Sequence, residues 1–343
     1  MALSPTLPAM TLPQLAPVGA DDTGLDVLAG LLKAAGDPLR LQVLQVLGYS
    51  SFAVLELADI LAMRQSGMSH HLKVLTRAAL VEQRREGNTI FYRRQLPDPQ
   101  GEATALHRAL LERLDAGDLP PEVAGRLAEA EARRAAQSRL FFERNAGDFE
   151  AHEDLIADYD QYGDLAAALL ERALPDGGEA ALEVGPGDGR FLHRLAHHFE
   201  QVSGLESSDV MLARARQRIQ DAGLANVELL RGDWPQAAPP RQFDAVVLNM
   251  VLHHLPTPAD CFITAARRLR QGGALLVTEL CRHDQSWARE RCGDQWLGFD
   301  EEELKDWAQR AGLRLLEIQF LAQRNGFQVQ VCSFVHQDDL PNP

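Results

Sequence analysis

The sequence predicts an α/β chain in two units: a small, mostly helical N-terminal module and a C-terminal domain on a seven-stranded, mostly parallel, doubly wound sheet. Three observations carry this. The chain has 343 residues, more than one typical domain. Strand and helix patterns alternate from about residue 180 onward. Charge divides the chain as well: Asp26 to Leu96 holds nine basic and six acidic residues, a net +3, while the whole chain is −15 and the part beyond Leu96 is −16. Such asymmetry points to separate tasks, with only the N-terminal part suited to lie along phosphates.

Composition narrows the class. Hydrophobic residues at 45% and charged residues at 24% are ordinary for a soluble globular protein. No apolar run reaches the roughly 18 residues of a membrane span. Residues 1–22 begin proline-rich, without a basic leader, and read as a disordered tail rather than a signal peptide. Cys261, Cys281, Cys292 and Cys332 form no C-x-x-C pair. This usage fits a reduced, cytoplasmic protein.

The N-terminal module spans 23–97. Asp37-Pro38 is a helix start, since Asp caps and Pro suits the first turn. A short helix over Val54 to Leu61 and a tight turn at Ala62 to Arg64 follow. A third helix runs from about Gln65 to Ala78, with Met68, Leu72 and Leu75 spaced to face a core. That leaves Arg64, Gln65, Ser66, Ser69, His70 and Lys73 outward, side chains able to donate and accept at base edges. A solvated helix face would read the same way. The next segment decides: Arg84, Arg85 and Arg93 lie on two strands joined by a turn at Gly87-Asn88, a basic hairpin suited to phosphate or minor-groove contact.

This winged helix-turn-helix, from about 25 to 95, resembles the ArsR/SmtB family of bacterial transcriptional repressors. Ala35 to Arg40, Ser69 to Leu75 and Arg84 to Asn88 carry the resemblance. It implies a homodimer on a double-stranded DNA operator with an inverted repeat. Many relatives sense metals through cysteines on the helix matching Val54 to Asp59, which has none here. With His107 alone on a later helix, no metal site is expected.

Residues 98–145 read as a helical connector, with helices near 103–116 and 121–144. Leu106, Leu110, Leu111 and Leu114 are candidates for a dimer interface, or for packing on their own domain.

In the domain at 146–336, the first strand ends in Gly185-Pro186-Gly187-Asp188-Gly189, and ligands of such sheets bind at the carboxyl ends of strands. The dinucleotide spacing G-x-G-x-x-G would require glycine at 190, where Arg190 stands. Glu206, at the end of the second strand, can accept ribose hydroxyls. Asp233, after the third, can accept an adenine amino group. With Glu183 before the turn, these acids make a nucleoside site. The region resembles class I S-adenosylmethionine-dependent methyltransferases, a Rossmann-like fold. By that resemblance Glu183, Gly185, Gly187, Gly189, Glu206, Asp233, Trp234 and Asn249 bind S-adenosylmethionine or S-adenosylhomocysteine. Leu269 to Gly273 matches the turn before the fifth strand.

Methyl transfer mainly needs donor and acceptor held in line. His253 and His254 are candidate bases should the acceptor have to lose a proton; hydrogen-bonded structural histidines are the plainer reading. Ser286 to Phe299 is expected along the acceptor side. An Asn-Pro-Pro-aromatic loop is absent after the fourth strand, which disfavours nucleobase methylation. Two functions remain. One is a repressor-type regulator whose methyltransferase domain senses the cofactor, a combination that resembles regulators of methionine and S-adenosylmethionine-cycle genes. The other is an active small-molecule methyltransferase whose DNA module only autoregulates.

Overall fold

A computed structural model describes residues 23–86, 89–98, 101–145, 156, 157 and 159–337. The expected tail at 1–22 and the hairpin turn at Gly87-Asn88 lie outside them.

The N-terminal unit contains α1 (Thr23–Ala35), α2 (Pro38–Val46), β1 (Phe52–Ala53), α3 (Val54–Ile60), α4 (Gln65–Arg77), β2 (Val81–Glu86) and β3 (Thr89–Arg94). The Asp37 carboxylate accepts hydrogen bonds from the Leu39 and Arg40 amides at 2.9 and 3.1 Å, capping α2 as the sequence predicts. Met68, Leu72 and Leu75 of α4 are fully buried. The short strand β1, which the sequence did not announce, pairs with β3 and makes a three-stranded sheet in the order β1-β3-β2.

Two connector helices follow, α5 (Thr104–Asp115) and α6 (Pro121–Asn145). Leu111 is buried, and Leu106, Leu110 and Leu114 pack on the N-terminal core. Within the chain these leucines thus pack on their own unit.

The C-terminal domain contains α7 (Tyr159–Ala173), β4 (Gly178–Val184), α8 (Arg190–His198), β5 (Phe199–Glu206), α9 (Asp209–Asp221), β6 (Val227–Arg231) and β7 (Phe243–Asn249). After a 3-10 turn (Leu252–His254) come α10 (Pro258–Arg268), β8 (Leu269–Leu280), α11 (Trp287–Arg291), α12 (Glu301–Arg310), β9 (Leu313–Ala322) and β10 (Gln328–His336). The seven strands run in the order β6-β5-β4-β7-β8-β10-β9, with β10 antiparallel to both neighbours. The segment 269–273, expected as a turn, is already strand, and a register shift between Phe243 and Ala245 accommodates it. Apolar clusters cover both faces of the sheet. The order reverses between β4 and β7, placing a crevice at the carboxyl ends of these strands.

The two units share one buried seam. Phe91 of the hairpin stacks edge-on against Trp296 at 5.4 Å. Ser50 Oγ donates to the Pro256 carbonyl at 3.1 Å. Arg134, on α6, sends a two-pronged pair to Glu56 of α3 at 2.9 and 2.7 Å. Its guanidinium also donates to the Ser51 carbonyl at 3.0 Å and the Pro256 carbonyl at 3.4 Å. Around it stand the rings of Phe52, Phe91 and Trp296, at 4.7, 5.7 and 5.1 Å. Arg134 is buried and Glu56 half-buried, so removing the guanidinium takes away its ring contacts and leaves the Ser51 and Pro256 carbonyls without this donor. Arg134→Ala is therefore expected to cost on the order of 3 kcal/mol of unfolding free energy, measured by urea denaturation. A loss below about 1 kcal/mol, the range of exposed pairs, would refute this role.

Candidate functional site

A cavity of about 440 Å³ lies at the switch point of the sheet. The loop after β4 forms its floor. Gly185 sits at φ +61°, and a Cβ there would stand 2.5 Å from Val251 Cγ2. Gly189, at φ +87°, opens α8. Both positions therefore demand glycine. Asp188, between them, is gripped by Arg190 at 3.1 Å and Arg218 at 2.6 Å, a lock the sequence reading missed.

Every expected cofactor residue except Gly189 lines this cavity, and Gly189 shapes the turn from behind. Glu206 accepts hydrogen bonds from the Gly187 amide at 3.3 Å and the Ser208 amide at 2.8 Å. Burial pushes its carboxyl up to about 7 against the pull of those amides. Burial pushes Glu183 up to about 8, and the nearby charges of Asp188 and Glu206 add to this. Glu183 Oε2 and Asn249 Oδ1 are buried on the cavity wall without a hydrogen-bond donor among the described residues. The lining is thus rich in acceptors and in suppressed negative charge, the complement of a ligand bearing amino, hydroxyl and cationic groups.

One wall was not anticipated. The connector helix α6 contributes Ala128, Glu131, Ala132, Ala135, Ser138, Arg139 and Phe142. Arg139 pairs with Asp233 at 2.6 Å, the residue expected at an adenine amino group. Glu131 rises to about 7, chiefly by burial and then by the charge of Asp260. The stretch Ser286 to Phe299, expected along the acceptor side, is not in the cavity lining: Gly293 and Gln295 hold His254 from behind at 3.3 and 2.7 Å, Trp296 belongs to the seam, and Phe299 packs on Trp307 at 5.2 Å. His254 lines the cavity and stacks on Phe142 at 4.8 Å. Burial drives its imidazole well below the ordinary range, with the charge of His253 adding to this. His253 is buried beneath and holds Glu279 through Nδ1 at 2.6 Å.

On the N-terminal unit, Arg64, Gln65, Ser66, Ser69, His70 and Lys73 share one exposed surface on and just before α4. Arg85 is exposed on the hairpin. Asn88 lies outside the described residues. Two arginines depart from expectation. Arg84 is buried, faces Glu303 at 3.4 Å and donates to the Gly298 carbonyl. Arg93 pairs with Glu303 and with Glu82. Both are spent on the methyltransferase-side seam, because α12 presents a carboxylate where a phosphate was envisaged.

Comparison with known proteins agrees with this geometry. Residues 35–84 match a helix-turn-helix domain family, and residues 182–277 match a methyltransferase domain family. The chain therefore carries a match to a helix-turn-helix domain ahead of a match to a methyltransferase domain. It is 30% identical over 154 residues to a malonyl-[acyl-carrier protein] O-methyltransferase of Paenibacillus sp. (strain JDR-2), covering 42% of this chain and 54% of that protein. It is 30% identical over 134 residues to a ubiquinone biosynthesis O-methyltransferase of Thiobacillus denitrificans, covering 39% of this chain and 58% of that one. The chain thus spans about half the length of the curated relatives it matches. Among solved structures, the [4+2]-cyclase SpnF superposes with a TM-score of 0.49 at 18% identity, over 58% of this chain and 94% of that one.

The buried acid gives a test by pH. Glu183 titrates near 8 in the folded chain against an ordinary 4.5. The folded state thus keeps a proton that the unfolded chain releases. That contribution to stability is complete below about 4.5 and is lost as pH rises towards 8. Glu183→Gln abolishes this loss, so its melting temperature is expected to gain on the native protein between those limits. Parallel pH curves for the two proteins would exclude a raised Glu183.

Proposed function

We propose that this chain is a DNA-binding regulator, of the repressor type and akin to the ArsR/SmtB proteins, whose methyltransferase domain binds S-adenosylmethionine or S-adenosylhomocysteine and relays occupancy to the DNA module. The observation that carries the relay is α6. Its Val123, Leu127 and Ala130 are part of the N-terminal core, and its Glu131, Ala135 and Arg139 line the cavity. One helix is thus wall to both. A ligand that takes Asp233 for its adenine must share or displace Arg139, and any shift of α6 reaches Glu56 through Arg134.

The ligand class follows from the lining. Glu206 is suited to the ribose, Asp233 and Trp234 to the adenine, and Glu183 and Asn249 to the methionine end with its ammonium. When bound, S-adenosylmethionine would supply an activated methyl group. The chain's own part is to hold the nucleoside in an acceptor-rich cavity. On the DNA side, Arg64, Gln65, Ser66, Ser69 and His70 serve as readers, with Lys73 and Arg85 beside them for the phosphates. Arg84 and Arg93 are assigned to the seam instead. A homodimer on an inverted repeat is the proposed assembly, and exposed Leu25 and Leu32, seven residues apart on α1, offer it an apolar face. Genes of the methionine and S-adenosylmethionine cycle are the proposed targets.

A second reading has its own support: the relatives quoted above are O-methyltransferases, and the imidazole of His254 lines the cavity. Methyl turnover on a panel of small hydroxylated and carboxylated metabolites tests it.

Operator titration by fluorescence anisotropy, alone and with each nucleoside, tests the regulatory reading. The expected change in affinity is about fivefold or more, the usual size of an allosteric coupling. Calorimetric binding of a nucleoside with unchanged operator affinity would defeat the relay. On DNA, Lys73→Ala is expected to weaken binding evenly across sequences and to lower the salt slope by about 1, while Arg84→Ala leaves that slope unaltered. A slope reduced by Arg84→Ala would return that residue to the phosphates.

A further inference from the structure

A cluster of metal-ligating side chains lies beside the cavity. His253 and His254 stand on the 3-10 turn after β7, and Asp294 follows α11. One ligand atom from each lies within 4.8 Å of the others. His253 and Asp294 are buried, and His254 borders the cavity.

What surrounds the three is ordered as a second layer. Glu279, fully buried at the end of β8, accepts from His253 Nδ1 at 2.6 Å, and also from the His253 and Leu280 amides at 3.1 and 2.7 Å. A carboxylate held against one nitrogen of a buried imidazole is the arrangement that orients a metal-bound histidine. Both neighbours of Asp294 are tied to the histidine turn. Gln295 donates from its amide to the His253 carbonyl at 2.8 Å and from Nε2 to the His254 carbonyl at 2.7 Å. Gly293 meets His254 Nδ1 through its carbonyl at 3.3 Å. The loop that presents the carboxylate and the turn that presents the imidazoles therefore hold one another in place.

We propose that His253, His254 and Asp294 bind a divalent transition metal ion of the zinc class, with Glu279 as the residue that positions His253. The donor set decides the class: two imidazoles and one carboxylate suit zinc and its neighbours, whereas magnesium and calcium take oxygen. Three protein ligands leave a fourth position for water or for an oxygen or sulfur of a small molecule. Because His254 borders the cavity, the ion lies at its edge, beside the Asn249 to Val251 segment. Tetrahedral zinc with bonds of about 2.0–2.1 Å sets its donors about 3.4 Å apart, so binding draws the three side chains together by about an ångström. This site is distinct from the nucleoside contacts and does not depend on the regulatory reading.

The test uses the full untagged chain with zinc or cobalt(II) alone. After metal loading and desalting, the native chain is expected to hold one zinc per chain by elemental analysis. Cobalt is expected to give visible absorption of a four-coordinate ion. Asp294→Asn and His254→Gln should lower affinity at least tenfold, and Glu279→Gln should weaken it by about 10–100-fold. The surface pair His193 and His197, whose rings lie 4.5 Å apart, is a possible rival, and H193Q/H197Q is expected to keep the ion. Thermal melts without metal show which variants fold; if Asp294→Asn does not, His254→Gln decides. A native chain that retains no zinc and gives no cobalt spectrum overturns the site. So does full affinity in the folded variants, or loss of the ion with the surface pair.

Discussion

A guanidinium taken out of water is tolerated only when its donors are satisfied, and Arg134 meets that condition by drawing three segments to itself. Its fork engages Glu56 of α3, its remaining donors reach carbonyls on either side of the domain boundary, and aromatic rings close over it. Without this centre the ring of Phe52, the hairpin's Phe91 and the loop before Trp296 would have no common reason to meet. The location of α6 follows from it, and so does the shape of the cavity that α6 walls. Stability and the candidate relay thus rest on the same contact.

The cavity itself is an electrostatic compromise. Glu183 and Glu206 are placed where water cannot solvate their charge, and the chain answers with amide donors at Glu206 and with protonation at Glu183. An occupant that brings positive charge would reverse this balance. The turn between β4 and α8 makes the approach possible because a side chain at Gly185 would collide with Val251.

Much of this was legible in the sequence, for local reasons. Alternating strands and helices, the glycine turn and the acids at strand ends are written in short-range pattern, and the seven strands appear where that pattern puts them. The cap at Asp37 and the core face of α4 are equally local. What escaped depends on partners far along the chain. An arginine on a hairpin looks the same whether it faces phosphate or a carboxylate some 219 residues away, and Glu303 had an adequate local role as the capping-box partner of Asp300. The connector α6 reads as an ordinary amphipathic helix, because nothing in its own spacing says that it serves two cores. Asp294 gave no signal at all: a lone acid in a loop acquires meaning only once β8 and the histidine turn are brought beside it.

The seam at Glu303 bears on how this molecule would find a target on a chromosome. With Arg84 and Arg93 turned inward, the cationic surface left to the N-terminal unit is small, and it is attached to a body of strongly negative charge. Encounters with arbitrary duplex would be brief, since few counterions are released and the acidic body is repelled. The search would proceed by repeated dissociation and re-encounter more than by one-dimensional travel, and residence would be set by base-edge complementarity at α4.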